Sequence, residues 1–231
     1  MSARIWAGFT HYKSKESTMR VGVIGTGNMG GPIAVNLLKA GHEVFVHDKR
    51  RVATQAPERA GAQLCGNPQE VAEACRLVMT SLPGPKEVVE VALSKKGIFA
   101  GAQKGDIFID LSTNGVSVIR RIAEIGRQKG IFVLDAPLVG GTWGAKSATL
   151  TIMVGGDKEA LEKSRPVLQA IGTKIVHVGT VGNGNVAKLI NNMLTQVHLH
   201  SIAEAMALGA KAGIDLQKLY DILSDGTATS P

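Results

Sequence analysis

The apolar positions of this 231-residue chain alternate between short continuous runs and segments of helical periodicity. Val21, Val23 and Ile24 form a short apolar run, and the apolar residues of 33–38 then recur at helical spacing until Gly41. A second short run, residues 43–47, follows directly. Alternation of this kind predicts a mostly parallel sheet with helices on both faces.

The alternation continues to residue 178. It predicts further strands at 62–64, 77–81, 106–111, 131–137, 149–154 and 174–178, helices at 55–60, 116–129 and 157–171, and loops at 83–85 and 139–144. We therefore predict an α/β fold with a Rossmann-like, doubly wound sheet, followed by a long interdomain helix and the start of an all-α domain.

The pattern changes after Gly179. Residues 186–212 read as one helix that is apolar on nearly all sides, which predicts burial on more than one side, and Asp215 caps a second helix through residue 223. We predict a dinucleotide-binding domain at 19–181 and the start of a helical domain at 182–231. Residues 1–18 show no periodicity, so we expect a disordered extension ahead of the true start.

Composition narrows the possible partners. The net charge is +7, but apart from residues 49–51 the basic side chains are scattered, which argues against a nucleic-acid partner. Cys65 and Cys75 lack any metal-ligand spacing, so we expect reduced thiols and no metal. No apolar run reaches the roughly 18 residues of a membrane span, so we expect a cytoplasmic protein without a membrane partner.

A glycine-rich turn between the first strand and the first helix predicts dinucleotide binding. Gly25 permits the tight turn, Gly27 lets a pyrophosphate approach the backbone, and Gly30 lets the helix pack closely on the strand. The predicted cofactor-binding residues of the turn are Gly25, Thr26, Gly27, Asn28, Met29 and Gly30. A glycine-rich turn that binds nothing is the alternative.

Asp48 ends the second strand, about 20 residues after the turn, where it is placed to accept hydrogen bonds from a ribose diol. The carboxylate should repel a 2′-phosphate, which favours NAD over NADP. Lys49, Arg50 and Arg51 follow it and offer NADP a counter-charge, so the choice stays open.

Polar residues interrupt the apolar surface of the long helix on one face. Lys188, Asn192, Thr195 and Gln196 share that face because they are spaced at helical intervals. A lysine on a buried helix suggests chemistry, although the same spacing fits a lysine that only reaches along the helix to solvent.

Three motifs resemble a known family. They are residues 25–30 (GTGNMG), residues 135–141 (DAPLVGG) continuing to 149–156 (TLTIMVGG), and residues 182–192 (GNGNVAKLINN). From residue 20 to 231 the chain resembles the β-hydroxyacid dehydrogenases, which include 3-hydroxyisobutyrate dehydrogenase, tartronate semialdehyde reductase and, more distantly, 6-phosphogluconate dehydrogenase.

The resemblance implies a role for several residues. Lys188 would be the catalytic acid/base and Asn192 would help to hold the substrate, while Leu82, Pro83 and Thr113 would contact the cofactor. A lysine with a lowered pKa can accept the proton of an alcohol that loses hydride to a nicotinamide cofactor. Backbone N–H groups of Gly140 and Gly141 are expected to bind the substrate carboxylate, beside the charge of Lys188. The predicted substrate is a small β-hydroxy acid or its semialdehyde, oxidised or reduced with NAD, which we favour, or NADP.

The chain departs from the family pattern in places. Val139 stands where family members commonly have serine, which leaves the identity of the substrate open, and Ala148 replaces a common glycine. We interpret Trp143 as a packed loop anchor rather than a pocket wall.

Family members usually continue through further helices, so we expect this chain to be C-terminally truncated. Its long helix should then be incompletely covered, which favours homo-oligomers, and turnover should be weak or absent.

Two other functions fit the same sequence. One is an imine reductase of the same fold, against which Lys188 argues because those relatives generally have a different residue there. The other is a non-catalytic module that binds a dinucleotide or a partner.

Overall fold

The structure, a computed structural model, describes residues 18–226. Its contacts divide the chain into two units, one ending at Asn185 and the other beginning at Val186. The predicted extension at 1–18 lies, apart from Thr18, outside the described residues. The predicted domain boundary at 181/182 stays a prediction.

The first unit alternates strands and helices along the chain, as the apolar pattern predicts. Its strands are β1 Arg20–Ile24, β2 Glu43–His47, β3 Gln63–Leu64, β4 Leu77–Thr80, β5 Ile107–Asp110, β6 Phe132–Asp135, β7 Leu138–Val139, β8 Leu150–Gly155 and β9 Gly172–Gly179. Its helices are α1 Gly30–Lys39, α2 Arg51–Arg59, α3 Pro68–Ala74, α4 Pro85–Leu93, α5 Ile98–Gly101, α6 Val116–Lys129, α7 Gly141–Ser147 and α8 Lys158–Gln169.

Within the described residues these strands form one nine-stranded sheet, in the order β3-β2-β1-β4-β5-β6-β8-β7, with β9 beside β8. The first six strands are mutually parallel, whereas β8 runs antiparallel to both β6 and β7 and parallel to β9. The strand order reverses at β1, whose neighbours are β2 and β4. The predicted Rossmann-like, mostly parallel sheet is confirmed.

Apolar side chains cover both faces of the sheet. Leu77 and Met79 of β4 join one buried cluster, with side chains of α1, α7 and α8, while Val78 joins the other, with side chains of α3, α4, α5 and α6. Cys75 lies in this second cluster, and burial raises the pKa of its thiol to about 12. Alternating residues of one strand therefore serve two cores, which is why the strands read as continuous apolar runs.

Several short elements were not expected from the sequence. The helices α3, α4 and α5 were not predicted, and the predicted loop at 139–144 is wrong in part because β7 and α7 lie there. In α3 the Asn67 side chain accepts a hydrogen bond from the Glu70 N–H at 3.1 Å, and Pro85 begins α4. Proline at the first helical position marks a helix start as readily as it marks a turn.

The second unit contains most of α9, Asn183–Lys211, and all of α10, Leu216–Asp225. Asp215 caps α10 as predicted, since its Oδ1 accepts the Lys218 N–H at 3.0 Å. The expectation that α9 is incompletely covered in this chain is confirmed for the described residues: Ile190, Met193 and Val197 are 51%, 56% and 52% exposed. Among the described residues, no helix combines the length and hydropathy needed to cross a membrane.

Candidate functional site

The glycine turn after β1 has the close-packed geometry that its sequence predicts. Gly25 has φ +85°, and a Cβ there would overlap the carbonyl oxygen of Ser81. A Cβ on Gly30 would overlap the carbonyl oxygen of Gly25, so α1 sits directly against the turn. At Gly27 the nearest atom to an added Cβ is Nη2 of the Arg50 side chain at 3.3 Å. The backbone at Gly27 is therefore open to a ligand.

A cavity of about 520 Å³ adjoins this turn, at the point where the strand order reverses. Such a reversal is where ligands bind in open α/β sheets. The predicted residues that line it are Gly25, Gly27, Asn28, Met29, Asp48, Leu82 and Pro83. Thr26 instead lines a second cavity of about 640 Å³, on α1 and α7, while Gly30 is buried at the start of α1. Thr113 is exposed in the loop after β5 and is not among the residues that line the first cavity.

Asp48 is held by the backbone of its surroundings. Its Oδ2 accepts the N–H of Thr26 at 2.9 Å, and its Oδ1 accepts the N–H of Arg50 at 2.8 Å. The Arg50 Nε lies 3.7 Å from the same Oδ1. Because each carboxylate oxygen has two lone pairs, Asp48 keeps acceptor capacity for a ribose hydroxyl.

The cavity also has lining residues that the sequence analysis missed. Glu87, Glu90 and Val91 come from α4, and Pro68 comes from α3. Both helices were overlooked, although each has proline at its first position and a glutamate within its first turn. That combination is a helix-start signal that would have revealed them.

The loops after β4 and β5 are joined by a buried polar cluster. The Leu82 N–H donates to Ser112 Oγ at 2.9 Å, and the Ser112 N–H donates to Asp110 Oδ1 at 3.1 Å. Asp110 also accepts from Thr80 Oγ1 at 2.9 Å and from Asn114 Nδ2 at 3.0 Å. Burial raises the pKa of the Asp110 carboxyl.

The segment predicted to bind the substrate carboxylate connects β7 to α7. Gly140 and Gly141 have positive φ angles of 122° and 59°, and α7 begins at Gly141. Trp143 is 80% exposed, so its interpretation as a packed anchor is wrong for the described part of the chain. Val139 is partly buried in β7, where it pairs with Thr151 of β8.

The predicted catalytic residues lie on α9 in the second unit. Lys188 and Asn192 are partly buried, whereas Thr195 and Gln196 are exposed. Thr195 Oγ1 donates to the carbonyl oxygen of Asn191 at 2.9 Å, so this hydroxyl is used within the helix. Burial lowers the pKa of the Lys188 amine, which favours its neutral form.

Histidine, cysteine, aspartate and glutamate side chains offer no metal site in residues 18–226, where no three of them come together. Both cysteines are free thiols. Among the charged residues that line the first cavity, Asp48 and Arg50 form an ion pair at 3.7 Å.

Comparison with known proteins shows which family the chain resembles. A family model described as the NAD binding domain of 6-phosphogluconate dehydrogenase matches residues 20–179. A second, described as NAD-binding of NADP-dependent 3-hydroxyisobutyrate dehydrogenase, matches residues 182–231. The cofactor of this chain is accordingly NAD or NADP.

Individual relatives agree with the family models. The chain is 39% identical to 2-(hydroxymethyl)glutarate dehydrogenase of Eubacterium barkeri, covering 93% of this chain and 71% of that protein. It is 40% identical to the NAD-dependent L-serine dehydrogenase of Pseudomonas aeruginosa, covering 88% and 68%.

A solved structure is similar across the same region. It is the 3-hydroxyisobutyrate dehydrogenase of Mycobacterium tuberculosis with L-serine, at a TM-score of 0.87 and 35% identity, covering 93% of this chain and 72% of that one. With both family models and these relatives in agreement, the chain belongs to the β-hydroxyacid dehydrogenase family, a family of NAD(P)-dependent oxidoreductases.

Proposed function

We propose that this protein moves a hydride between a nicotinamide cofactor and a small β-hydroxy acid or its semialdehyde. The observation that carries the proposal is the open backbone at Gly27, beside Asp48, in a cavity at the reversal of the strand order. The proposed cofactor contacts are Gly25, Thr26, Gly27, Asn28, Met29, Gly30, Asp48, Leu82, Pro83 and Thr113. We place the pyrophosphate at the N-terminus of α1 and the ribose at Asp48.

Lys188 is the proposed general acid/base. A bound nicotinamide cofactor supplies the hydride donor or acceptor. In oxidation the neutral Lys188 amine accepts the hydroxyl proton of the substrate, and in reduction the ammonium form returns it to the carbonyl oxygen. The lowered pKa of Lys188 supports this role, because it raises the fraction of neutral amine near neutral pH.

The proposed substrate contacts are Gly140, Gly141, Lys188 and Asn192. The two glycines offer backbone N–H groups to a carboxylate, and Asn192 lies four residues, about one helical turn, after Lys188. The relatives named above act, by their names, on small hydroxy acids, including L-serine. L-Serine and 3-hydroxyisobutyrate are therefore the first compounds to assay.

Replacement of Lys188 tests the mechanism. We expect Lys188→Ala to lower turnover by about 100-fold or more, as the loss of a general acid/base does, and to leave dinucleotide affinity nearly unchanged. Lys211→Ala, at the exposed end of the same helix, is the matched control. Absorbance at 340 nm measures turnover, and calorimetry measures dinucleotide binding. Near-normal turnover by Lys188→Ala would show that the lysine is structural.

We propose NAD as the preferred cofactor. Asp48 faces the cavity with spare acceptor capacity, which suits a ribose diol and disfavours a 2′-phosphate. Arg50 lines the same cavity, with its Nε 3.7 Å from Asp48 Oδ1, and is the basic group we assign to such a phosphate, so Arg50→Ala should weaken NADP binding more than NAD binding. Tighter binding of NADP than of NAD to the unsubstituted chain would reverse this preference.

The two alternative functions are separable by the same assays. Turnover of a cyclic imine, with none of any hydroxy acid, would identify an imine reductase. Dinucleotide binding without turnover of either class would identify a non-catalytic module. The cytoplasmic location and the homo-oligomeric state stay predictions.

A further inference from the structure

Three adjacent parallel strands end in a row of buried polar residues. Thr80 of β4, Asp110 of β5 and Asp135 of β6 are register partners, Thr80 with Asp110 and Asp110 with Asp135. All three side chains are fully buried. Two carboxylates buried at the carboxyl ends of neighbouring strands require hydrogen-bond donors, because burying an unpaired carboxylate is costly.

The donors to Asp135 come from the start of α9. Its Oδ1 accepts the N–H of Gly182 and its Oδ2 accepts the N–H of Asn185, both at 2.7 Å. The Asn185 side chain also lies with its Nδ2 3.3 Å from the same Oδ2. A helix N-terminus carries unpaired N–H groups and a partial positive charge, and this carboxylate satisfies both.

The surroundings of Asp135 leave no room for other side chains. A Cβ on Gly184 would lie 2.9 Å from Asp135 Oδ2, and a Cβ on Gly155 would overlap Oδ1. Both positions therefore require glycine for the start of α9 to approach the end of β6. The contact is a close-packed joint rather than a surface cap.

Asn185 connects this joint to the cofactor side of the sheet. Its Oδ1 accepts the N–H of Asn114 at 2.6 Å, and Asn114 Nδ2 donates to Asp110. Asp110 Oδ1 accepts the N–H of Ser112, and Ser112 Oγ accepts the N–H of Leu82, which belongs to the loop that lines the cavity. A continuous hydrogen-bonded path thus runs from that loop to Asn185.

We propose that Asp135 and Asn185 are positioning residues for the reaction. They fix the first residues of α9 to the strand-end row, and with them the backbone from which Lys188 projects three residues later. The inference rests on the proposed role of Lys188, which neither residue is suggested to replace. A small displacement of a catalytic group is enough to lower a rate by about 100-fold.

Hydrogen exchange tests the anchoring without any assay of activity. In Asp135→Asn one of the two backbone N–H groups faces the side-chain NH2, which cannot accept a hydrogen bond. We therefore expect exchange of the amides from Gly182 to Lys188 to accelerate by about 10-fold or more. Asp157→Asn is the matched control, because Asp157 caps α8 through one N–H, that of Ala160, which an asparagine oxygen still accepts. Exchange in Asp135→Asn that is no faster than in Asp157→Asn would overturn the inference.

Measuring kcat beside the dissociation constant of NAD tests the consequence for the reaction. We expect Asp135→Asn to lower kcat by about 10-fold or more with the dissociation constant of NAD unchanged. Asp157→Ala, which removes a cap without touching α9, should lower the melting temperature and leave kcat as it was. Equal loss of kcat in both variants would assign Asp135 a merely structural role.

Asn185→Ala decides the matter if Asp135→Asn does not fold. This variant keeps the Asn185 N–H on Asp135 but removes the link to Asn114, so we expect faster exchange at Asn114 and the start of α9 together. Unchanged exchange would refute the inference. If Lys188→Ala retained turnover, the proposed function would fail while the exchange measurements still decided the anchoring.

Discussion

Ala148 holds a backbone conformation that normally belongs to glycine. It ends α7 with φ 57° and ψ 35°, and among the described residues it is the one non-glycine residue with positive φ. The left-handed region costs an L-residue about 1–2 kcal/mol, whereas the conformational entropy that glycine loses on folding costs about 0.5–1 kcal/mol more than that of alanine. We therefore expect Ala148→Gly to raise the free energy of unfolding by about 0.5–1 kcal/mol.

Chemical denaturation measures this change. Ala145→Gly, in the same short helix but without a positive φ, is the control and should lower stability. A destabilised Ala148→Gly protein would mean that the Ala148 methyl group makes packing contacts that outweigh the backbone strain.

Two glycines of the dinucleotide turn should respond differently to the same substitution. At Gly30 a methyl group would overlap the backbone of Gly25, so we expect Gly30→Ala to cost about 1–3 kcal/mol of stability. At Gly27 a methyl group meets only the flexible end of Arg50. Gly27→Ala should fold normally and bind NAD about 10-fold or more weakly, because the methyl group keeps the pyrophosphate from the backbone N–H groups.

Thermal unfolding and NAD titration separate the two effects. Equal loss of stability in both variants would argue that Gly27 is needed for folding. Normal NAD binding by Gly27→Ala would place the pyrophosphate elsewhere.

Lys188 should give the reaction its pH dependence. Burial lowers the pKa of Lys188, so its neutral amine, the proposed proton acceptor, appears at a lower pH than the ordinary value of about 10.4 would allow. We expect kcat/KM for alcohol oxidation to rise with pH through this lowered pKa and then level off. In the reducing direction the rate should fall over the same interval, because the ammonium form is the proposed proton donor.

Rate profiles in both directions measure this effect. Lys188→Arg, which stays protonated, should lose the inflection together with most of the oxidation rate. An inflection at or above the ordinary lysine pKa would contradict the assignment.

At the scale of elements, helix ends were predictable where a local residue determines them. Helix α6 occupies the predicted residues 116–129, and Gly130 ends it in the left-handed conformation with φ 72°. Asp157 caps α8 and Asp215 caps α10, and each carboxylate accepts a hydrogen bond from the N–H three residues later. These signals lie within one turn of the helix and need no tertiary information.

Short helices were not predictable from periodicity. Helix α5 has four residues and α7 has seven, of which two are glycine, so neither shows a repeating apolar face. The same reason hid α3 and α4, and with them part of the cavity lining. The glycine turn and Asp48, which line the first cavity, could be predicted because their signal is local. The exposure of Trp143 could not, because it depends on distant packing.

At the scale of the whole molecule, the exposed apolar face of α9 bears on association. Ile190, Met193 and Val197 are spaced at three and four residues, so they share one face, and each is about half exposed. Contiguous apolar surface of this kind commonly pairs with a second copy. We expect the protein to be a homo-oligomer in solution.

Light scattering on the purified chain measures its mass. Val197→Glu should reduce the oligomer to monomer, because it places a charge in the paired face. Val52→Glu is the matched control, since Val52 is 69% exposed on α2 and should leave the mass unchanged. A monomer for the unsubstituted chain would refute the expectation.

Cys75 makes the opening of one core measurable in time. Its thiol is buried beneath α3 to α6 and has a pKa of about 12, so a thiol reagent finds almost no thiolate while that helical layer is closed. Cys65 is only partly buried and should react first. After the fast phase, the slow labelling phase measures the rate at which the helices leave that face of the sheet. A dinucleotide bound in the first cavity, which α3 and α4 help to line, should lengthen that phase.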